Sequence, residues 1–468
     1  MAKGAYMPRR AAVAVPVALL WAAVAVNAQE WRSGIDSRIE LMSILFRLAG
    51  NSEYRQCRIP AYDEAIDKYF APYRDHEAVQ VARSLGVGLA TPVKLAVYLR
   101  DAQSLEERVP FDRLGVHLYP TWDAASVRTF LAAARRFATD TNFQEFLQTQ
   151  QPLYNATNTR LQTFLRDQAD LGWLPRFLGP QPPATLVIVP GMANGAPSYA
   201  ARFVDENGAQ EIYAVPGVSR VDGAGLPVFD SEWRTVLVDE LAHVYLSPTI
   251  AEFAARMEKP ARQMYQAVAP AMQRQSYGDA RTMLSQSLAR AVTIEFVMEH
   301  EGPEAVQLLI RQENSRSFFW MSGLVDLLES YRNGREQYPT FDSFMPRVAQ
   351  FFADTAPKIH ELTDHFQPKV VSTSIVEGAR GVDPGTKQIV VRFSMPMTRV
   401  GPNKSSTVSG GRFDTTGTVL TMPVTLEPDR DYAVPLRWAG GQAFVSADGV
   451  PLPAVTLRFR TAAAPLSK

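Results

Sequence analysis

The 468-residue chain predicts an α+β architecture in two parts: a mostly helical region carrying a small sheet, then a β-sandwich. Three observations predict it. Apolar residues recur at three-and-four spacing over 35–180 and again over 231–352. Two short apolar runs, 185–189 and 211–215, are bounded by turn residues and read as buried strands. After Pro357 the texture changes to short β-rich runs separated by Gly, Pro, Asp and Asn. A hydrophobic fraction of 46% with 21% charged residues is ordinary for globular chains and excludes disorder.

The first element is an address. Lys3, Arg9 and Arg10 precede an apolar run, 11–26, that closes on Val26-Asn27-Ala28. A basic n-region, an h-region and a small-residue site predict a secretory signal peptide over 1–28, cut after Ala28. The run is short for a bilayer-spanning anchor, and no cysteine at the cut suggests a lipoprotein. No later run is long enough to span a membrane, so the sequence predicts export to the periplasm or the medium. Lys+Arg 48 balance Asp+Glu 48, which gives no electrostatic footprint for nucleic acid. One cysteine, Cys57, excludes an internal disulfide or a Cys-rich zinc module and reads as a small buried hydrophobe. Any metal site must therefore use carboxylates and some of the six histidines.

The helices follow in order. Ser37 is placed to cap a helix whose Ile39, Met42, Leu45, Phe46 and Ala49 share a face, with Gly50 as its stop. Residues 63–70 stop before Pro72, and 123–137 line up Val127, Phe130, Leu131, Ala134 and Phe137. Pro180, Pro182 and Pro183 then break the pattern before the strands. No repeat of fixed period is present. The C-terminal runs are 370–375, 388–393, 418–422, 432–438 and 455–459.

The helix that could carry chemistry contains Asp239-Glu240-Leu241-Ala242-His243. Trp233, Val236, Leu237, Leu241, Val244 and Tyr245 form its apolar stripe, and Asp230 or Ser231 is available as cap. On the helical wheel Glu240 falls inside that stripe, with Asp239 and His243 at its edge one turn apart. A carboxylate there is costly unless paired, protonated or near a metal. On a later helix Gln286, Arg290 and Thr293 make a narrow polar stripe suited to an internal site. Its plainer reading is a buried hydrogen-bond network.

Two resemblances sharpen these readings. Val382-Asp383-Pro384-Gly385-Thr386, Val391-Arg392-Phe393-Ser394-Met395-Pro396-Met397, Leu426-Glu427-Pro428-Asp429-Arg430-Asp431-Tyr432 and Asp448-Gly449-Val450-Pro451-Leu452 resemble the bacterial Ig-like domain of S-layer and other exported proteins. That likeness implies a spacer or adhesion module. Leu186-Val187-Ile188-Val189-Pro190 through Asn194-Gly195, Ile212-Tyr213-Ala214-Val215 and the helix with Ser247-Pro248 resemble an uncharacterised bacterial family. Tyr69-Phe70-Ala71-Pro72-Tyr73, Asp140-Thr141-Asn142-Phe143 and Tyr338-Pro339-Thr340-Phe341 extend the likeness over about residues 35–356. That family bears His-Glu-x-x-His and is taken to be a zincin-type metallopeptidase. The resemblance implies a zincin-like, gluzincin-type domain in which two His and a later Glu bind zinc, and the motif Glu is general base.

Only Glu240 and His243 match residue for residue. Asp239 stands at the first His position, and Gln286 where a ligand Glu is expected. An Asp carboxylate reaches roughly 2 Å less far than the outer imidazole nitrogen, too short for an unmoved zinc bond. A Gln amide is a poor zinc donor, although the altered shell keeps the same formal charge. Zincins bind peptides along a strand edge, which would put Asn194-Gly195 near substrate. His76, His117, His300, His360 and His365 lack ligand spacing and read as structural or solvated, and Ser198 and Ser276 sit in no nucleophile elbow.

The expected organisation is a signal peptide over 1–28, a zincin-like domain over 29–356, a linker over 357–367 and an Ig-like domain over 368–461. The expected function is an exported metallopeptidase homologue with an altered metal site, Glu240 as base, His243 as ligand, Asp239 and Gln286 as changed ligands, and zinc weakly bound or absent. The alternative is a non-catalytic envelope or extracellular protein that binds a peptide or protein on the same fold. Intact-mass analysis of the exported protein should show loss of residues 1–28; a retained Met1 would refute the leader.

Overall fold

A computed structural model describes residues 30–85, 91–111, 122–398, 411–437 and 443–463. The leader segment and His117 lie outside these residues. The chain is mostly helical with small mixed sheets. Among the described residues no helix is long and apolar enough to cross a membrane.

A four-stranded sheet organises the first part. It contains β1 (Trp31–Ser33), β2 (Thr185–Ile188), β3 (Tyr199–Val204) and β4 (Gln210–Val215) in the order β1-β2-β4-β3. The first three in that order run parallel, and β3 closes one edge antiparallel to β4. Because side chains alternate across a strand, each strand feeds two cores. Leu186, Ile188, Ile212 and Ala214 join one apolar cluster, whereas Val187, Val189, Tyr213 and Val215 join the other. The near-continuous apolar runs in the sequence follow from burial on both faces.

The face of Val187 and Tyr213 is covered by α1 (Ser37–Ala49), α2 (Pro60–Phe70), α3 (Glu77–Leu85), α4 (Thr91–Val97) and α5 (Ala124–Asp140), with α6 (Phe143–Thr149) beside them. The cap of α1 is Asp36 rather than Ser37: its carboxylate accepts from the Arg38 amide, and the chain enters the helix one residue earlier than the spacing implied. Gly50 ends α1 at φ 100° with its N–H on the Arg47 carbonyl, as a C-cap glycine should. Helices α7 (Gln151–Asp167) and α8 (Trp173–Leu178) lead to β2.

The opposite face is covered by α9 (Ser231–Arg274) and α10 (Ala280–Glu301), which pack on each other. Behind them lie α11 (Pro303–Ser315), α12 (Met321–Asn333) and α13 (Phe341–Thr355). Asp230 caps α9 through the Trp233 amide, and Asp279 caps α10 through Thr282. Helix α9 runs for 44 residues through Pro248, Pro260 and Pro270, so its continuity rests on packing rather than propensity.

Residues 357–367, expected as a linker, are ordered structure. A turn of 3₁₀ helix, Ala356–Lys358, passes into α14 (Ile359–Phe366). Ile359 is buried, Leu362 and Phe366 pack on the α9 core, and the Phe366 ring stacks on Phe319 at 5.5 Å. The sequence change at Pro357 marked a break in texture, but Ile359, Leu362 and Phe366 share one helical face and find a core to cover.

Short strands follow among the described residues: β5 (Val370–Thr373), β6 (Ala379–Val382), β7 (Gln388–Phe393), β8 (Met397–Thr398), β9 (Arg412–Phe413), β10 (Val419–Pro423), β11 (Asp431–Pro435), β12 (Val445–Ser446) and β13 (Thr456–Thr461). They form sheets β5-β7-β10-β9 and β11-β13-β6 and the ladder β12-β8. No sheet closes on itself. Ile389, Val391, Phe393, Leu420, Met422, Leu457 and Phe459 share one core between them. This region leans on the helical part at α11. Gly449, at φ 84°, lies so close to the Arg311 carbonyl that a Cβ would meet it at 2.6 Å, and Val450 enters the α9 core.

The Phe366–Phe319 stack should protect the junction from protease. Trypsin should cut slowly after the exposed Lys358, and Phe366→Ala should speed that cut several-fold. An unchanged cleavage rate would show that α14 is not docked.

Candidate functional site

The four residues singled out on the helices meet in one place. Asp239, Glu240 and His243 of α9 and Gln286 of α10 all line a cleft of about 1450 Å³. One wall is the edge strand β3, through residues 199–202, and the opposite wall is α10 with α11. Helix α9 forms the floor. Its Trp233, Leu237, Leu241 and Tyr245 point into the core, whereas Val236, Glu240 and His243 turn to the cleft. Glu240 thus sits at the border of the apolar stripe rather than within the core.

Each polar group here has a distinct environment. Asp239 lies 3.7 Å from the His243 Nε2 and accepts a hydrogen bond from the Thr293 hydroxyl at 3.2 Å. Burial, reinforced by the Asp239 charge and opposed by Lys94, pushes the Glu240 carboxyl up to about 8. Burial likewise holds the His243 imidazole below its ordinary value, against the pull of Asp239 and together with Arg290 and Lys94. At neutral pH the pair is therefore a protonated carboxyl beside a neutral imidazole.

Arg290, one turn beyond Gln286 on α10, brings a fixed cation to the same wall. It donates to Glu313 at 2.6 Å and to the Tyr277 hydroxyl at 2.7 Å, with its guanidinium 4.6 Å from the Phe318 ring centre. Glu313 is buried and also accepts from Arg316 at 2.8 Å. Gln286, Arg290 and Thr293 therefore do face an internal site, and Arg290 is held by its own network. Among the described residues no group of three or more His, Cys, Asp or Glu is placed to hold a metal.

Asn194 and Gly195 are elsewhere. Asn194 is fully buried and accepts from the Ser43 hydroxyl at 3.4 Å. Gly195, at φ 68°, is pressed so tightly on the Gln56 carbonyl that a Cβ would lie 1.9 Å from it. Both seat the loop after β2 against the N-terminal helices; residues 196–198 of that loop, not these two, reach the cleft.

His76 and His300 are structural. His76 accepts from the Ala78 amide and lies 3.2 Å from Asp140. His300 bridges the Phe296 carbonyl and Asp170. Cys57 is half-buried, its thiol pushed up to about 12 by burial and directed at the Met192 carbonyl, which is the opposite of an activated nucleophile.

Sequence reasoning missed Lys94, Arg202, Leu308 and Leu309, which also line the cleft. Lys94 had a signal: it is the lone charge in Thr91–Val97, and the other six residues of that helix are buried. The rest depended on which strand became the sheet edge.

Two solved chains show a distant likeness. The surface layer protein SbsC, domains 1–6, is 15% identical, with 49% of this chain and 33% of that chain covered at a TM-score of 0.16. The S-layer protein rSbsC(31–844) is 16% identical, with 51% and 38% covered at the same TM-score. The chain thus spans about a third of the length of these structures, and at that score the likeness carries no argument. No curated protein matches. A family model described as "Domain of unknown function (DUF4932)" matches residues 33–351, and across that span, built around the cleft, the chain belongs to this family.

Proposed function

We propose that this is an exported, non-catalytic binding protein that keeps a peptidase-like layout and takes an extended peptide into the α9 cleft. The observation that carries this reading is the pairing of an edge strand with a deep polar floor: β3 is the last strand of its sheet and runs along one wall, the usual setting for adding a peptide strand, although its Arg202 carbonyl already accepts from Tyr98. In this reading the unit 29–356 is zincin-like, and the strands from 368 form an Ig-like module that acts as a spacer or second contact surface.

The donor chemistry supports binding over hydrolysis. Burial and the Asp239 charge push the Glu240 carboxyl up to about 8, which makes it a hydrogen-bond donor in the metal-free cleft. Asp239 already engages Thr293 and His243. Gln286 is neutral, and the nearby Arg290 helps to hold the His243 imidazole below its ordinary value. These residues do not fit zinc, which wants three deprotonated donors at about 2.0–2.3 Å. What they fit is hydrogen bonding: Glu240 as a donor, His243 as donor or acceptor, Gln286 as both.

Metal analysis and peptide turnover test this directly. The purified protein should carry far less than one zinc per chain and turn over casein negligibly, whereas Asp239→His with Gln286→Glu should raise zinc content markedly. One zinc per chain with turnover abolished by Glu240→Gln would overturn the binding reading and restore the peptidase.

The protonated Glu240 also has a thermodynamic signature. A carboxyl raised in the folded state favours the fold at low pH and loses that advantage as pH climbs towards its folded value. His243, depressed by burial, works in the other sense below its ordinary value, so the clean window is about pH 6.5 to 8. Across it the native protein should lose stability relative to Glu240→Gln, the melting temperatures parting by a few degrees. A constant difference would mean that Glu240 is ionised throughout.

A further inference from the structure

The charges of the cleft are not evenly matched, and the mismatch has a direction. On its lining Glu232 has Arg220 at 3.7 Å, Glu301 has Arg234 at 3.0 Å and Glu313 has Arg290 and Arg316, while Asp239 lies against Thr293 and His243 on the floor. Lys94 and Arg202 have no carboxylate partner among the described residues. Lys94 projects from the otherwise buried α4, and its charge is felt at both Glu240 and His243. Arg202, on β3, is half-buried and spends its guanidinium on the Val244 carbonyl at 3.1 Å and the Gln210 side chain.

Both cations therefore stand on the β3 side of the cleft, where an added strand would run. Across from them the wall carries an apolar patch beside its polar stripe. Leu308 of α11 is 51% exposed although it faces the cleft, and Leu309, Ala305 and Val297 continue that surface. A half-buried guanidinium such as Arg202 without an anion is costly, and so is a leucine face left to water.

We infer that the ligand of this cleft is an extended peptide bearing a carboxylate, held by Lys94 and Arg202 beside β3, with a neighbouring apolar side chain against Leu308 and Leu309. This rests on the cleft being a peptide site, as proposed above. The carboxylate could belong to an acidic side chain or to a chain terminus; the recognition chemistry is the same.

Fluorescence anisotropy on the full mature chain separates these cases. Four labelled octapeptides rich in leucine serve as probes: one with internal glutamates and an amidated end, one with glutamines and an amidated end, one with lysines and an amidated end, and one with glutamines and a free carboxylate. At low salt, at least one of the two carboxylate peptides should bind about tenfold tighter than the amidated glutamine peptide, and the lysine peptide weakest. The carboxylate peptide that wins names the source of the anion. Added salt should shrink the margin. Lys94→Gln, at an exposed position, should cut the margin to within about threefold. Leu308→Asp should weaken all four peptides. Equal binding of charged and uncharged peptides, or tighter binding of the lysine peptide, would overturn the charge inference while the cleft reading stands, provided Leu308→Asp still weakens binding. No peptide binding, or binding indifferent to Leu308→Asp, would overturn the cleft reading itself.

Discussion

The sheet β1-β2-β4-β3 is buried on both faces, and the rest of the first part follows from that. A strand covered on two sides must be apolar on two sides, so 185–189 and 211–215 carry no solvated face and each needs a helical layer above and below. Helices α1 to α5 supply one layer, α9 and α10 the other. An edge strand cannot be covered in the same way, because its outer backbone groups need polar partners. β3 therefore faces a cleft, and Tyr98 already donates to its Arg202 carbonyl at 3.1 Å. The position of the candidate site is a consequence of sheet order.

The same constraint explains the chemistry of the floor. Helix α9 must bury one stripe on the sheet and on α10, and the residues next to that stripe are held in a poorly solvated cleft. A carboxyl there favours its proton, an imidazole favours neutrality, and a guanidinium survives only inside a cage of acceptors and rings. Glu240, His243 and Arg290 each follow that rule. The outcome is a polar floor with little net negative charge, which suits hydrogen-bonded recognition better than capture of a dication.

The two parts of the chain are mechanically joined. Helix α14 covers the α9 core through Ile359 and Phe366, and the turn at Gly449 rests on Arg311 of α11, the helix that also presents Leu308 to the cleft.

Much of this was legible in the residues themselves. The three-and-four spacing around Ile39, Phe46, Val127 and Phe137 described real core faces, and the β runs from 370 onward described real strands, because those patterns record burial that is decided locally along one element. Asp239, Glu240, His243 and Gln286 were also picked out, partly from spacing and partly from the family resemblance, and the fold does bring them to one cleft. What the residues could not say was which strand becomes an edge, which fixes Lys94, Arg202 and Leu308 as lining, or that the loop at Asn194 and Gly195 turns inward on Gln56. Nor could Pro357 reveal that the segment after it would find a core to cover. Periodicity along the chain reports how each element is buried; which elements meet, and so which charges are left without partners, is decided only when distant segments share one volume.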